Sequence, residues 1–241
     1  MKYELQYKQY SENAILIQWP QEINENILQD VLSYKKNIVT FYGKLIIEVI
    51  HSYNSLLIVY VFTIENIYTT FLELKSLSDI TGEFVSDKTR VWKIPVCYSS
   101  TLAPDLEVFA SKKKLTKREV IHLHTTPVYT IYFIGFLPGF LYLGGLDDVL
   151  STPRKKTPSL HVKKGAVAIG GNQTGIYPMD SPGGWHIIGM CPLNFFDPNN
   201  RDCCFASSGD KIQFTVIEEE EYNAISSLVE KGVYAPEYVI L

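Results

Sequence analysis

Residues 129–189 read YTIYFIGFLPGFLYLGGLDDVLSTPRKKTPSLHVKKGAVAIGGNQTGIYPMDSPGGWHIIG. Short apolar runs alternate in this stretch with turns rich in glycine and proline, a texture typical of a β-barrel or sandwich with long loops. Strands are predicted over residues 129–134, 166–169 and 185–189, and a further strand over residues 210–216. Glycine lets a loop backbone approach a ligand closely, and proline fixes the shape of a loop. One such loop would be an ordinary tight turn, but several within one stretch favour a ligand site.

Helical patterns lie on both sides of this stretch. Thr116 and Glu119 have the spacing of a capping box, which predicts a short helix over residues 117–124. A run of glutamates at residues 218–221, with Gly232 further on, predicts a C-terminal helix. Acidic residues favour the start of a helix and glycine favours its end, so we assign the glutamates no role beyond this.

The first part of the chain is predicted to form a separate small domain. Its patterns follow the order strand, strand, helix, strand, strand, helix, which is typical of an open sheet with helices on one side. The first of these helices is expected to end before Val39. This part has neither a glycine-rich phosphate loop nor a carboxylate pair, and it indicates no function by itself. With the polar segment 82–90 as linker, the sequence predicts an α+β domain over residues 1–88 and a β-barrel domain over residues 89–241.

Composition argues against several classes of function. The formal net charge is −4 at pH 7, and the basic residues are not clustered as a nucleic-acid binder requires. The N-terminal sequence MKYELQYKQYSEN lacks the apolar core of a signal peptide, and no apolar run approaches the roughly 20 residues that cross a bilayer. The four cysteines form no Cys-x-x-Cys pair, which favours buried thiols in a reducing compartment. We therefore expect a cytoplasmic protein that binds neither nucleic acid nor membranes.

Three sequence blocks resemble the signature blocks of a known family. They are IGFLPGF at residues 134–140, QTGIYP at residues 173–178 and SPGGW at residues 181–185. The family is the KipI/PxpB family, also called allophanate hydrolase subunit 1-like. Further blocks resemble it in the same order, namely IPVCY at residues 94–98, HT at residues 124–125 and FDP at residues 196–198. The resemblance covers the whole second domain, whereas the first domain matches more loosely, with His51 where the family usually carries proline.

The resemblance implies a cyclophilin-like β-barrel for residues 89–241 and a place as the B-type component of a 5-oxoprolinase complex. Proteins of this kind act with a C-type subunit and a separate A-type subunit, and together they open 5-oxoproline to L-glutamate with ATP hydrolysis. ATP, with Mg²⁺, is therefore the implied cofactor. Because the sequence has no Walker-type loop, we expect that site to be shared with a partner subunit. The chain is expected to be inactive alone.

Two other functions known in the family stay open. One is a KipI-like inhibitor of a sensor histidine kinase, in which the barrel contacts the kinase. The other, which the sequence supports less, is a subunit related to allophanate hydrolase or urea amidolyase. Adjacent genes for A-type and C-type subunits would favour the enzyme over the kinase inhibitor.

Three side chains are candidates for catalysis, namely His124, Arg154 and Gln173. The guanidinium of Arg154 is a planar, permanently charged fork that suits a substrate carboxylate or phosphate. The alternative for this side chain is a surface ion pair with Asp147 or Asp148.

His124 falls near the C-terminal end of its predicted helix, where the helix dipole favours the protonated imidazole. It is expected to supply a proton or an anion contact, or else to be a hydrogen-bonded structural histidine. On a helix His122 and His124 diverge, so the sequence predicts no metal site. Gln173 and Tyr177 are expected to hydrogen-bond an amide-like ligand.

The remaining candidates are expected to bind substrate or to shape the site. Those for substrate binding are Gly139, Tyr177, Gly183 and Gly184. Backbone groups at positions 183 and 184 are expected to donate to a developing oxyanion. Those for a pocket wall or a partner contact are Phe136, Pro138, Phe140 and Trp185, the last also packing the barrel. We expect all of these turns to line one cleft in which Arg154 and Gln173 lie close together.

Overall fold

The structure is a computed structural model that describes residues 3–78, 89–200 and 203–241. The chain divides into two compact units, residues 1–87 and residues 88–241. Most of the predicted linker lies outside the described residues, and its last residue, Arg90, begins a strand. Within the described residues no helix is long and apolar enough to cross a bilayer.

Within residues 3–78 an antiparallel sheet packs against two helices. The elements are β1 (Gln6–Ser11), β2 (Ala14–Gln18), α1 (Glu25–Tyr42), β3 (Ile46–His51), β4 (Ser55–Tyr60) and α2 (Ile67–Ser78). The strands lie in the order β1-β2-β4-β3. Alternate positions of the two central strands, such as Ile15 and Ile58, are fully buried and share a core with Ile38 of α1 and Leu74 of α2. A period of two in the strands thus directs one face of the sheet toward the apolar stripes of the helices.

Helix α1 is longer than predicted. It runs to Tyr42 and ends at Gly43, which has a φ of +51°. The prediction that it ends before Val39 is wrong, because a β-branched residue lowers helix propensity only slightly. Ile38 and Tyr42 are both buried one turn apart, so packing holds the helix together beyond Val39.

In the second unit, seven of the described strands close into a barrel. The strands of this unit are β5 (Arg90–Cys97), β6 (Tyr129–Ile134), β7 (Leu141–Gly144), β8 (Ser159–Val162), β9 (Ala166–Gly170), β10 (Gln173–Ile176), β11 (Ser181–Gly183), β12 (His186–Met190), β13 (Lys211–Ile217) and β14 (Glu237–Ile240). The order is β12-β9-β10-β7-β6-β13-β5, and a pairing of Met190 with Cys97 closes β12 onto β5. Strand β13 runs parallel to β5, and β14 adds to β5 beyond the ring. The predicted fold class, an α+β part followed by a barrel, is confirmed.

Three α-helices accompany the barrel within the described residues, namely α3 (Leu106–Lys113), α4 (Lys117–Thr125) and α5 (Glu219–Glu230). The capping box predicted at the start of α4 is present, since Thr116 accepts from the backbone of Glu119 and the Glu119 carboxylate accepts from the backbone of Thr116. Strand β6 spans its predicted range, and β9, β12 and β13 lie within one residue of theirs.

The free thiols differ in burial. Cys97 and Cys191 are buried as predicted, whereas Cys203 is exposed. The expectation of buried thiols is therefore wrong for Cys203, which lies in the long connection between β12 and β13.

Side chains fill the inside of the barrel, so the interior is a packed core. Val167 and Ile169 of β9 point into it and are fully buried. Ala166 and Ala168 of the same strand belong to a second buried cluster, which also contains Trp185. Since successive strand residues face opposite sides, this second cluster lies on the outside of the barrel wall. A ligand site must therefore be sought on the outer cluster rather than in the interior.

Candidate functional site

Three loops of the second unit meet over the outer cluster and form a small pocket. The pocket has a volume of about 100 Å³ and is lined by Phe136, Phe140, Tyr142, Arg154, Tyr177, Pro182, Gly183, Gly184 and Trp185. The structure thus brings together seven of the candidates, namely Phe136, Phe140, Arg154, Tyr177, Gly183, Gly184 and Trp185. It does not bring His124, Pro138, Gly139 or Gln173 into this lining.

Aromatic rings make the floor of the pocket rigid. The ring of Phe140 is only 2% exposed. It meets Tyr177 and Trp185 edge to face, with centroids 5.3 and 5.6 Å away. The ring of Tyr142 lies 4.8 Å from it. Such pairs contribute about 0.5–1.5 kcal/mol each beyond their buried area, so the floor is a preorganised apolar surface.

Gly183 is needed for the packing of one of these rings. A Cβ atom at position 183 would lie 2.3 Å from the hydroxyl oxygen of Tyr177. The backbone carbonyl of Gly184 accepts a hydrogen bond of 2.7 Å from the amide of Lys155. The structure therefore gives both glycines a packing or backbone role at the pocket, and their expected contact with an oxyanion stays a prediction.

Arg154 provides the positive charge of the pocket. Its side chain is exposed, and its Cζ atom lies 5.8 Å from the centroid of the Trp185 ring, which fits a cation–π contact. The alternative ion pair with Asp147 or Asp148 is not formed, and no carboxylate of the described residues lies within 4.0 Å of the guanidinium. The guanidinium is thus free to pair with an anion that enters the pocket.

The two tyrosine hydroxyls of the pocket keep their protons at neutral pH. Burial raises the pKa of Tyr142, and the charge of Arg154 opposes this rise. Burial also raises the pKa of Tyr177, against the opposing effects of a backbone hydrogen bond from Trp185 and of Arg154. Both phenols therefore remain neutral donors rather than bases.

The expectation of a protonated, catalytic His124 is wrong. Its side chain is fully buried in the barrel core, and burial lowers the pKa of the imidazole to about 3. Nδ1 lies 2.8 Å from the hydroxyl of Tyr98 and Nε2 lies 2.8 Å from the hydroxyl of Thr174. The ring also stacks on Phe214 at 4.5 Å. His124 is therefore a hydrogen-bonded structural histidine, which was the alternative interpretation of this residue.

Gln173 and Gly139 do not line the pocket. Gln173 begins β10 and pairs with Gly170 of β9. A Cβ atom at Gly170 would lie 2.5 Å from the ring of Trp185, so Gln173 lies one strand away from the pocket wall, and its expected contact with a ligand stays a prediction. Gly139 has a φ of +83° and packs on a neighbouring loop, since a Cβ there would lie 2.6 Å from the carbonyl oxygen of Phe195. The structure gives Gly139 a packing role, and its expected part in substrate binding stays a prediction. The exposed Pro138 does not reach the lining.

Two residues of the site were not anticipated. Tyr142 lies within β7, a strand that was not predicted because it ends in Gly144 and Gly145 follows. Lys155 follows Arg154 and forms an ion pair of 2.6 Å with Asp105. The alternation of Leu141, Tyr142 and Leu143 was an available signal for the first, whereas the second depends on a contact 50 residues away along the chain.

The rim of the pocket carries a strained aromatic residue. Phe136 has a φ of +68°, although its side chain is 72% exposed and touches Phe140 only edge to face at 6.1 Å. A bulky residue in the left-handed region is a genuine outlier, and such strain concentrates at functional sites. Burial of this ring does not compensate for the strain, which favours a function for the exposed ring.

We expect Phe136→Gly to be more stable than Phe136→Ala by about 1 kcal/mol, because only glycine adopts this φ without a steric cost. Both substitutions remove the same exposed ring, so they form a matched pair. Urea unfolding of the two variants gives the difference in the free energy of unfolding. A glycine variant less stable than the alanine variant would show that the φ of this residue is not strained in solution.

The fold and the pocket together define a class of protein: an α+β unit followed by a closed barrel that holds a small pocket, lined by aromatic rings and one arginine, on its outer wall. Residues 5–206 match the family described as "Carboxyltransferase domain, subdomain C and D". The chain belongs to this family, and its resemblance to the KipI/PxpB proteins is confirmed by relatives in sequence, one of them matched along almost its whole length.

Two of these relatives carry the same name, that of the 5-oxoprolinase B-type subunit. The chain is 34% identical over 235 residues to the protein of that name from Bacillus subtilis (strain 168), which covers 93% of this chain and 98% of that protein. It is 41% identical over 138 residues to its namesake from Escherichia coli O157:H7, over 57% of this chain and 63% of that protein.

Solved structures of related proteins have the same fold. The crystal structure of TTHA0988 matches with a TM-score of 0.74 at 29% identity over 85% of this chain, which spans 40% of that longer chain. A conserved uncharacterized protein from Pyrococcus horikoshii matches with a TM-score of 0.54 at 38% identity, over 90% of this chain and 99% of that one. The urea amidolyase of K. lactis matches with a TM-score of 0.80 at 18% identity, over 99% of this chain and 16% of that one, which shows the fold alone.

Proposed function

We propose that this chain is the B-type subunit of an ATP-dependent 5-oxoprolinase that opens 5-oxoproline to L-glutamate. Two relatives named for that subunit support the proposal, one of them along its whole length. The observation that carries it is the pocket itself, where a guanidinium without an ion pair among the described residues stands at the edge of an aromatic floor. The urea amidolyases are more distant, at 26% and 27% identity over 180 and 148 residues in sequence and 18% in the solved structure, so that alternative is not favoured.

The size of the pocket suits a small substrate. Its volume of about 100 Å³ lies well below the roughly 300–1,000 Å³ of sites for drug-sized ligands. A five-membered lactam ring that carries one carboxylate has few non-hydrogen atoms and is flat enough to lie on aromatic rings. The pocket therefore favours an acid of this size over larger metabolites.

The chemistry of the lining matches the two polar groups of 5-oxoproline. A guanidinium pairs with a carboxylate through two parallel hydrogen bonds. We therefore propose that Arg154 binds the carboxylate of the substrate. The neutral hydroxyls of Tyr142 and Tyr177 suit the lactam carbonyl, because a phenol can donate to it. We propose that the apolar floor of Phe140 and Trp185 excludes water from the ring of the bound lactam.

The pocket offers little charge to a nucleoside triphosphate, because Arg154 is the one cation among its lining residues. We therefore propose that ATP, with Mg²⁺, binds outside this pocket, in a site completed by a partner subunit. No step of lactam binding described above depends on it.

We propose that the partners are a C-type subunit, which forms a heteromeric pair with this chain, and an A-type subunit. The names of the relatives are those of one component among several, which supports a multi-subunit enzyme. Since the pocket provides one charge and no buried base, we propose that the chain alone is inactive and that the pair completes the site.

Co-expression with A-type and C-type subunits tests the proposal. We expect the assembled complex to show 5-oxoproline-dependent ATP hydrolysis with glutamate as product, and the chain alone to show none. Complexes that omit one component at a time are the controls. A full complex that assembles but turns over no 5-oxoproline would contradict the proposal. If the chain instead captured and inhibited a sensor histidine kinase, the KipI-like alternative would be favoured.

A further inference from the structure

We propose that Asp105 and Lys155 are positioning residues that hold Arg154 at the pocket, where it binds the substrate carboxylate. This inference rests on the proposed function for the identity of the ligand, but its geometry is independent of that function. Neither Asp105 nor Lys155 lines the pocket, so any effect on the ligand must pass through Arg154 or the wall beside it.

The backbone on both sides of Arg154 is tied to the strand segment that forms the pocket wall. Before it, the carbonyl oxygen of Pro153 accepts a hydrogen bond of 3.0 Å from Nε2 of His186. After it, the amide of Lys155 donates to the carbonyl oxygen of Gly184 at 2.7 Å. The residue between these two attachments is the one whose side chain lines the pocket, so the ties limit where its guanidinium can lie.

Asp105 strengthens the second tie from outside. Its Oδ2 atom lies 2.6 Å from Nζ of Lys155 and also accepts from the amide of Ile187 at 2.7 Å. The amide of Asp105 in turn donates to the carbonyl oxygen of Ile187 at 3.1 Å. One carboxylate thus joins the loop that carries Arg154 to the strand that follows Trp185.

The carboxylate of Asp105 does not cap the helix at whose start it lies. Asp105 occupies the N-cap position of α3, where aspartate normally accepts a hydrogen bond from the first turn. Here its side chain makes no capping hydrogen bond. The stabilisation that capping would give is absent, and the side chain is directed to Lys155 and Ile187 instead. This arrangement points to a role at the pocket rather than in the helix.

The ion pair is also sheltered. The side chains of Asp105 and Lys155 are 23% and 20% exposed, whereas those of Lys163 and Asp180, which form a second pair in the same unit, are 72% and 61% exposed. Pairs that are partly removed from water hold their geometry better than exposed pairs, which contribute little. Lys163 and Asp180 therefore supply a matched control.

Steady-state kinetics of the reconstituted complex test the inference. We expect Asp105→Asn and Lys155→Met to raise the KM for 5-oxoproline about 5- to 20-fold with kcat within twofold of wild type, somewhat less than the roughly 100-fold cost of a full 1 Å misplacement. We expect Lys155→Arg, which keeps the charge, and Lys163→Met, which breaks the exposed pair, to have the wild-type KM.

A second measurement needs no activity. The Nε–Hε signal of Arg154 in NMR spectra of the full chain reports the contact with the Trp185 ring. We expect it to move toward the position of an exposed arginine in Asp105→Asn and Lys155→Met, and to stay unchanged in Lys155→Arg and Lys163→Met.

The outcomes separate this inference from the proposed function. An unchanged KM together with an unmoved Arg154 signal in Asp105→Asn, which keeps the side-chain shape, would overturn the positioning role. A wild-type complex without turnover would contradict the proposed function, and the NMR signal would still decide the positioning role. A loss confined to kcat would also count against it, because a positioning residue for substrate binding acts on KM.

Discussion

Replacement of Arg154 by methionine is expected to lower kcat/KM for 5-oxoproline by between about 10-fold and 150-fold in the reconstituted complex. A hydrogen bond to a charged group contributes about 1.5–3 kcal/mol, and each 1.4 kcal/mol is about tenfold in rate. The loss should appear in KM, because the carboxylate is remote from the lactam bond and is held equally in ground and transition states. Steady-state kinetics over a range of 5-oxoproline concentrations measure both constants.

Two further substitutions make this prediction specific. Arg154→Lys keeps the charge but loses the planar fork, so we expect an intermediate value of kcat/KM. Arg118→Met removes an exposed arginine from α4 and should leave both constants unchanged. The stability of Arg154→Met should fall by no more than about 1 kcal/mol, which is the size of an exposed cation–π contact. Wild-type kinetics in an active complex of Arg154→Met would show that the substrate binds elsewhere.

The sequence located this pocket because its loops carry local signals. Thr152, Pro153 and Arg154 lie in a stretch with many glycines and prolines, and a charged side chain in such a loop is directed to solvent or to a ligand. Gly183 and Gly184 are adjacent to Trp185 in one block, so they reach the pocket together. Glycine and proline act on the backbone of the loop in which they stand, so these loops can be recognised from the sequence.

Contacts between distant parts of the chain could not be predicted in the same way. Gly139 looks like a ligand-binding glycine, yet it is required by the backbone of Phe195, 56 residues further on. Asp105 occupies the N-cap position of α3, yet its carboxylate binds Lys155. The closing pairs of the barrel, β13 with β5 and β12 with β5, are equally non-local. The positions of the strands were therefore predicted better than the pairing between them.

His124 shows how the magnitudes of two effects decide a prediction. A helix dipole stabilises a cation at its C-terminus by about 0.3–1 kcal/mol. Burial lowers the pKa of His124 from 6.5 to about 3, which corresponds to about 5 kcal/mol in the opposite direction at about 1.4 kcal/mol per pKa unit. The sequence held a warning, because Val120 lies one turn before His124 on the face that α4 buries.

The hydrogen bonds of His124 assign it a neutral ring with the proton on Nε2. The hydroxyl of Thr174 donates to the carbonyl oxygen of Ala168 at 3.1 Å, so it accepts from Nε2–H. Nδ1 then accepts from the hydroxyl of Tyr98. Every polar group of this hydrogen-bond network has a partner in the neutral state, whereas a second proton on the ring would leave the Tyr98 hydroxyl without its acceptor.

We therefore expect the protein to lose about 2 kcal/mol of stability between pH 7.5 and pH 5.0 through His124 alone. The folded-state pKa of about 3 lies below the unfolded value of about 6.5, so the unfolded chain binds the proton first as the pH falls. The contribution of the buried neutral ring is fully present above pH 6.5 and is lost progressively as the pH falls toward 3. Urea unfolding at the two pH values measures the loss.

His124→Gln separates this contribution from the other titrating groups. At pH 7.5 we expect the variant to be about 1–3 kcal/mol less stable than wild type, because hydroxyls of Tyr98 or Thr174 lose their partner. At pH 5.0 the gap should shrink by about 2 kcal/mol, since the variant has no imidazole to protonate when it unfolds. His161→Gln, at an exposed position, should keep the wild-type pH dependence. Equal pH dependence in wild type and His124→Gln would mean that His124 titrates normally in the folded protein and that the core does not hold it neutral.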